Sequence, residues 1–367
     1  MKVNNKEYRT IWMRDLTVFM IDQNRLPFHF KIHKVEDYAA LCEAIRDMTV
    51  RGAGAIGAAA GFAMALACDQ AQHQHDDDFI DRARREIEET RPTARNLSYA
   101  TQRVYEAGRH SVEMALKEAQ NIAEENVEEG RRIGLNGSEL LRDGCRILTH
   151  CNTGWLAFVD HGSALSAIYH AHRGGKKLFV YVDETRPRGQ GALLTAWELL
   201  HEGVPFNIVI DSAGAYLMSQ GLVNVVLTGA DRVAANGDVA NKIGTLEKAI
   251  IAREYGVPFY VAAPVSTFDL SCATGSSMVI EQRDVDEVLF QTGSDATGRE
   301  KKIRVAAPRA TAINPAFDVT PAHYITGFIT NKGIIKPRTR DILHLIKGHN
   351  QTSPLTYAIR KHHGKKI

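Results

Sequence analysis

A thiol, a carboxyl and a few cations make up the chemistry available to this 367-residue chain. Cys151 and Asp231 each close a short apolar run, ILTHC and VVLTGAD, of the kind that forms a strand covered on both faces of a parallel sheet. Open α/β sheets bind ligands beyond the carboxyl ends of their strands, so both side chains are expected at one crevice. Glu184 and Asp211 end two further runs of the same type and are expected there too. Beyond Asp231, Asn236-Gly237 reads as a turn and Asp238 as the cap of a helix over residues 239–248, with Ile243, Leu246, Ile250 and Ile251 facing inward. That puts Asn241 and Lys242 at a helix amino end beside Asp231. A carboxyl, an amide, an ammonium and a helix amino terminus together suit an anionic substrate that needs a proton moved. The competing reading has Asp231 capping a loop and Lys242 in solvent.

Arg51 precedes the glycine-rich run Gly52-Ala53-Gly54-Ala-Ile-Gly57. The glycine spacing matches a dinucleotide fingerprint, but the context does not. A charged helical pattern precedes it instead of a buried strand, and another helix follows after Asp69. What survives is an arginine beside glycine-rich backbone at a helix start, a cradle for phosphate. Arg91 sits where Pro92 interrupts a helical pattern, and a surface ion pair is its ordinary role. A thiol at a strand end such as Cys151 acquires thiolate character from a helix amino terminus, although most free cysteines are inert core residues. Cys42, Cys68 and Cys145 lie in apolar patterns and Cys272 in a loop with no base near it in sequence.

These residues need elements to hold them. Residues 8–35 alternate apolar and polar as in a small antiparallel sheet, and residues 35–48 carry helical spacing through Tyr38, Leu41, Ala44, Ile45 and Met48. Residues 52–68 are Ala- and Gly-rich, too short for a usual membrane span of roughly 20 residues, and read as a buried helix. A helix from residue 96 to about 126 follows. From Arg146 onward strands alternate with helices, as in a doubly wound parallel sheet. The expected division is a helical domain with a small sheet over 1–128, a doubly wound α/β domain over 129–350, and a basic tail over 351–367.

A formal net charge of +2, without a long basic block, gives no footprint for nucleic acid. Five cysteines in unpaired spacing point to reduced thiols in a cytoplasmic setting, not to a disulfide frame or a zinc site. The charged opening residues do not read as a secretory signal. The polar run over residues 73–78 reads as a hydrated loop, so no metal is expected.

Seven motifs together go further: VRGAGAIG (50–57), RPTARNL (91–97), HCNTG (150–154), DETRPRGQGALLTAWEL (183–199), TGADRVAANGDVANKIGT (228–245), YVAAPVSTFD (260–269) and NPAFDVTP (314–321). In order and spacing, over about residues 8–336, the chain resembles the methylthioribose-1-phosphate isomerases. The wider group includes isomerases of ribose 1,5-bisphosphate and 5-deoxyribose 1-phosphate and the regulatory subunits of the exchange factor for translation initiation factor 2. The resemblance implies a Rossmann-like carboxyl-terminal domain, a homodimer, no cofactor, and a small sugar phosphate as substrate. It implies Cys151 and Asp231 as the catalytic pair, and Arg51, Gly52, Ala53, Arg91, Gln190, Asn241 and Lys242 as substrate-binding residues. The chain departs from the family pattern at Gly54 (usually proline), Gly189 (a leucine type), Leu193 (arginine) and Trp155 (a small residue). Trp155, near Cys151 in sequence, is the expected apolar wall for the group on C5 of the sugar.

Overall fold

In this computed structural model, residues 1–347 are described except 74, 75, 77 and 93, so the basic tail lies outside the described residues. After a two-stranded hairpin, Lys2–Val3 and Lys6–Glu7, the amino-terminal part forms a three-stranded antiparallel sheet, Ile11–Arg14, Thr17–Ile21 and Ile32–Val35, with the middle strand central. Ile11 pairs Met20 and Val18 pairs Val35, which turns Ile11, Val18 and Met20 onto the inner face. Helices Tyr38–Arg46, Ala53–Ala71, Phe79–Glu89, Arg95–Gly108 and Val112–Ser138 follow.

Ala53–Ala71 is the core of this part, and its composition gives the reason. It is apolar all round and 83% buried over its most apolar stretch, so the hydropathy that resembles a membrane span is satisfied by protein. Small side chains let its neighbours come close: Gly61 lies against Ala119 of Val112–Ser138 and Val104 of Arg95–Gly108. The single helix expected from residue 96 is in fact two. The first ends at Gly108, and Ser111 caps the second, its hydroxyl accepting from Met114 N at 3.1 Å. Residue 128 falls inside Val112–Ser138. The first half of that helix packs with the amino-terminal core through Ala115, Ala119 and Ala123, and Ile133 packs with the following sheet.

The carboxyl-terminal part is built on seven strands in the order Gly333–Ile335, Gly327–Thr330, Phe259–Ala262, Val225–Thr228, Cys145–Thr149, Leu178–Asp183, Phe206–Val209. All neighbours run parallel except the first pair. This is the doubly wound, Rossmann-like order, and its direction reverses between Cys145–Thr149 and Val225–Thr228, where such sheets leave a crevice.

One expectation at the centre fails. Residues 239–242 are a strand, Val239–Lys242, in a second sheet ordered Phe268–Asp269, Arg232–Ala234, Val239–Lys242, Phe317–Thr320. Asn236-Gly237 turns a hairpin, with Val233 paired to Val239, and does not lead into a helix. Asp238 caps nothing of that kind, because its carboxylate accepts from Gly275 N and Ala322 N. The helix begins later, Thr245–Glu254, and Asp318 from the next strand caps it by accepting from Gly244 N and Leu246 N. Its buried face is Lys248, Ala249 and Ala252, while Ile250 is exposed.

Gly134 tests packing against propensity. Alanine ordinarily stabilises a helix interior by about 1 kcal/mol. Here a Cβ would press on Ser166 Oγ and His170 Nδ1, both tied to backbone, so Gly134→Ala should lower the urea-unfolding free energy by about 1–3 kcal/mol.

Candidate active site

Cys151 and Asp231 leave the two strands that flank the reversal point, with Thr149 in register with Leu227, and both line one cavity. Cys151 has φ +65°, a left-handed conformation that a side chain rarely adopts, and it is held there from both sides. Its N–H donates to Thr185 Oγ1 at 2.8 Å, and its carbonyl accepts from Thr195 Oγ1 at 2.7 Å. The thiol points at Gln190, with Sγ 3.4 Å from Oε1. The expected helix amino terminus behind the thiol is absent: a short 3-10 turn, Trp155–Ala157, comes first, and the helix Ala164–Arg173 starts well beyond. Arg51 and Lys242 line the same cavity as Cys151. Burial pushes three thiols up, Cys42 to about 12 and Cys68 to about 11, with Cys145 raised in the same way.

Asp231 makes no side-chain hydrogen bond among the described residues. Part of it stays exposed, yet loss of solvation is the largest influence on its carboxyl and raises its pKa above the ordinary value. Lys242, Arg91, Arg283 and Arg51 oppose that rise, in that order. Lys242 is buried, with Nζ donating to Ala316 O at 3.0 Å and lying 4.8 Å from the Phe317 ring centre. Burial, then Arg283, bring its pKa down to about 8. Asn241 donates to Thr245 Oγ1 at 2.9 Å. Strand pairing thus delivers Asn241 and Lys242, which were expected from a helix.

Arg51 and the glycine turn are braced by a buried chain of polar groups. Arg51 donates to Asn152 Oδ1 (2.9 Å) and Asn152 O (3.0 Å), and Asn152 Nδ2 donates to Glu198 Oε1 at 2.6 Å. Glu198 also accepts from Trp155 N (2.8 Å), Leu156 N (3.2 Å) and the Tyr169 hydroxyl (2.9 Å). Burial raises its pKa to about 7 against those four donors. A Cβ at Gly154 would collide with this carboxylate, which is why HCNTG ends in glycine. Gly52, at φ +89°, packs its Cα on the Ala157 backbone and opens the helix Ala53–Ala71, so the amide end of that helix faces the cavity.

Some expectations are corrected. Glu184 and Asp211 do not line the cavity; Asp211 accepts from Thr185 N and Arg186 N, below the Cys151 loop. Trp155 is 1% exposed and packs edge-on against Trp197 at 5.3 Å in the core, because its backbone is pinned by Glu198. The apolar wall comes instead from Met48, Phe158, Met278, Ile280 and Phe317. Arg91 donates to Glu281 Oε2 at 3.3 Å and lines the cavity, so its ion pair is at the site and not on an open surface. Arg283 and residues 278–280 carry no motif signal and went unread in the sequence. In the ligand-like cluster of His150, Asp183 and Asp211, His150 bonds Asp183 Oδ2 (2.9 Å) and Ile243 O (2.8 Å), and Lys248 Nζ lies 3.5 Å from Asp183, while Asp183 Oδ1 has no partner among the described residues. His150 thereby ties the residue before Cys151 to the residue after Lys242.

Residues 49–337 match the initiation factor 2 subunit family. The methylthioribose-1-phosphate isomerase of Brucella anthropi is 46% identical over 356 residues, covering 92% of this chain and 96% of its own. The crystal structure of 5-methylthioribose 1-phosphate isomerase from Pyrococcus horikoshii OT3 aligns with a TM-score of 0.81 at 39% identity, covering 94% of this chain and 97% of that one. The chain belongs to the methylthioribose-1-phosphate isomerase family. A third neighbour, the translation initiation factor eIF-2B delta subunit from A. fulgidus, has a TM-score of 0.76 at 37% identity, covering 93% of this chain and 100% of its own. The fold is therefore shared with proteins named for translation initiation, and the site must carry the functional argument.

Glu198 is the brace whose loss is readable within this family's site. Glu198→Ala strands four buried donors, so stability should fall by about 3 kcal/mol in denaturant unfolding. KM should rise as Arg51 loses its support; an unchanged KM would detach Glu198 from the site.

Proposed function

We propose that this protein converts 5-methylthioribose 1-phosphate into 5-methylthioribulose 1-phosphate, the isomerase step of methionine salvage. The observation that carries the reading is one cavity holding a desolvated carboxyl, a strand-end thiol and four inner cations. A 1-phosphorylated aldose has its anomeric carbon locked, so no free aldehyde exists and the ring must first be opened. Asp231, with its raised pKa, donates a proton to the ring oxygen as the C1–O bond breaks. A hydrogen then moves from C2 to C1, and the C2 hydroxyl loses its proton to leave the ketone. Cys151 serves this step, as base in an enediol route or by stabilising charge during a hydride shift. Electrons are exchanged only between C1 and C2, so the chemistry calls for no external carrier.

The same cations that receive the phosphate hold the Asp231 carboxyl down. A bound phosphate, carrying about −1.5 to −2 charges, offsets Lys242, Arg91 and Arg51, so the acid gains its proton as substrate arrives. Arg51, the Gly52 and Ala53 backbone, Asn241 and Lys242 hold phosphate, and Arg91 and Gln190 orient the sugar. The apolar wall of Met48, Phe158, Met278, Ile280 and Phe317 suits a methylthio group. We further infer a homodimer in the cytoplasm: five free cysteines fit a reducing compartment, and Leu200, Ile208, Ile210 and Tyr216 are exposed apolar residues around the edge strand Phe206–Val209.

In a side-by-side assay of ketose 1-phosphate formation, 5-methylthioribose 1-phosphate should far exceed ribose 1,5-bisphosphate in kcat/KM. Asp231→Asn and Cys151→Ser should each lose about 10²- to 10⁴-fold in kcat with the fold retained. A higher kcat/KM for the bisphosphate, or wild-type turnover by Asp231→Asn, refutes this reading.

Lys242 gives a pH test. Its cation is present below about pH 8 and lost above it, so KM should climb through that range in wild type. In Lys242→Arg the climb should move to higher pH; a profile indifferent to this substitution removes Lys242 from phosphate binding.

A further inference from the structure

Residues 278–283 form an arm along the cavity mouth, attached to the segment before the strand Phe317–Thr320. Arg283 N donates to Asn314 O and Ala316 N donates to Glu281 O, each at 2.9 Å. Ala316 O in turn accepts from Lys242 Nζ at 3.0 Å, so the arm and the Lys242 strand meet at one residue.

Arg283 is 8% exposed at its side chain and faces the same ring as Lys242. Its guanidinium carbon lies 5.8 Å from the Phe317 centroid, and Lys242 Nζ lies 4.8 Å from it. A single carboxylate, Glu281, bridges two guanidiniums: Oε1 accepts from Arg283 Nε at 3.0 Å and Oε2 from Arg91 Nη2 at 3.3 Å. The remaining donors are poorly used. Arg283 Nη1 meets only the Met48 sulfur, at 3.7 Å, and Nη2 has no partner among the described residues. Arg91 Nε is buried with no partner among them either. A plain ion pair needs one arginine per carboxylate and no cavity. Two guanidiniums and a buried ammonium outnumber the Glu281 carboxylate, and with the Asp231 carboxyl raised by burial they repel one another until an anion joins them. Arg283 is also the strongest charge-based influence lowering Arg91 and Lys242.

We propose that Arg283 is a substrate-binding residue, donating through its free guanidinium edge to the substrate phosphate beside Lys242, with Glu281 as the positioning residue that aims it. The inference rests on the sugar-phosphate reading of the cavity and adds a residue that no family motif in the sequence marks. The arm then has two duties. Met278 and Ile280 supply apolar surface, and Arg283 supplies charge, so one segment contacts both ends of the ligand.

The test compares Arg283→Met, which keeps apolar bulk against Met48 and Phe317, with Arg283→Lys, which keeps the charge. For Arg283→Met, KM for 5-methylthioribose 1-phosphate and the dissociation constant of inorganic phosphate by calorimetry should both rise about 10- to 100-fold. Its kcat should change much less, and Arg283→Lys should recover a large part of the loss. Phosphate affinity equal to wild type in Arg283→Met overturns the proposal, as does a loss confined to kcat and thermal stability that lysine does not rescue. Should Arg283→Met fail to fold, Arg283→Lys and Arg283→Gln decide it by the same two constants, with lysine retaining affinity and glutamine losing it. Calorimetry needs no turnover. A wild type that binds phosphate but does not isomerise the sugar defeats the functional reading and leaves Arg283 standing.

Discussion

In the proposed reaction Asp231 must be acidic enough to open a sugar ring and yet hold its proton among the cations of Lys242, Arg91, Arg283 and Arg51. The two requirements pull in opposite directions, and desolvation decides between them. Its carboxyl stands where water is scarce and hydrogen-bond donors are absent among the described residues, so the charged form lacks the support that surface carboxylates receive. Arginines and a lysine nearby restore part of that support. A ligand that occupies those cations removes it again, which couples binding to protonation without any moving part.

Much of the surrounding structure keeps that balance in place. Cys151 is held in a left-handed conformation by Thr185, from the loop after the strand Leu178–Asp183, and by Thr195, from the helical turn Gly191–Thr195. Arg51 is held through Asn152 by a carboxylate, Glu198, that never reaches the cavity. His150 spans from the Asp183 carboxylate to the Ile243 carbonyl and so links the Cys151 strand end to the Lys242 strand end. Each brace is buried, where a satisfied polar group is strong and an orphaned one is costly. The active residues therefore sit on rigid supports, although several of them are in loops.

The family's shared fold makes this division of labour informative. The fold over most of the chain recurs in a protein named as an isomerase and in one named as an initiation-factor subunit. Under the proposed function, the population of the crevice sets the chemistry: the Cys151 thiol, the Asp231 carboxyl, and the cations of Arg51, Arg91, Lys242 and Arg283.

The sequence alone determined the strands that lead to Cys151 and Asp231, because short apolar, β-branched-rich runs with turn residues after them admit little else. It also determined that Ala53–Ala71 is a buried helix, since a uniformly small, apolar stretch has no solvent face. Local pattern failed where distant partners decide. Val239–Lys242 carries helix-compatible residues, but pairing with Phe317–Thr320, more than seventy residues on, makes it a strand. Trp155 is near Cys151 in sequence and turns away from the cavity, because Glu198 captures its backbone N–H. Arg283 and Glu281 have no local signature at all. Their place at the cavity comes from hydrogen bonds to residues 314–316, a long-range pairing that spacing along the chain does not encode.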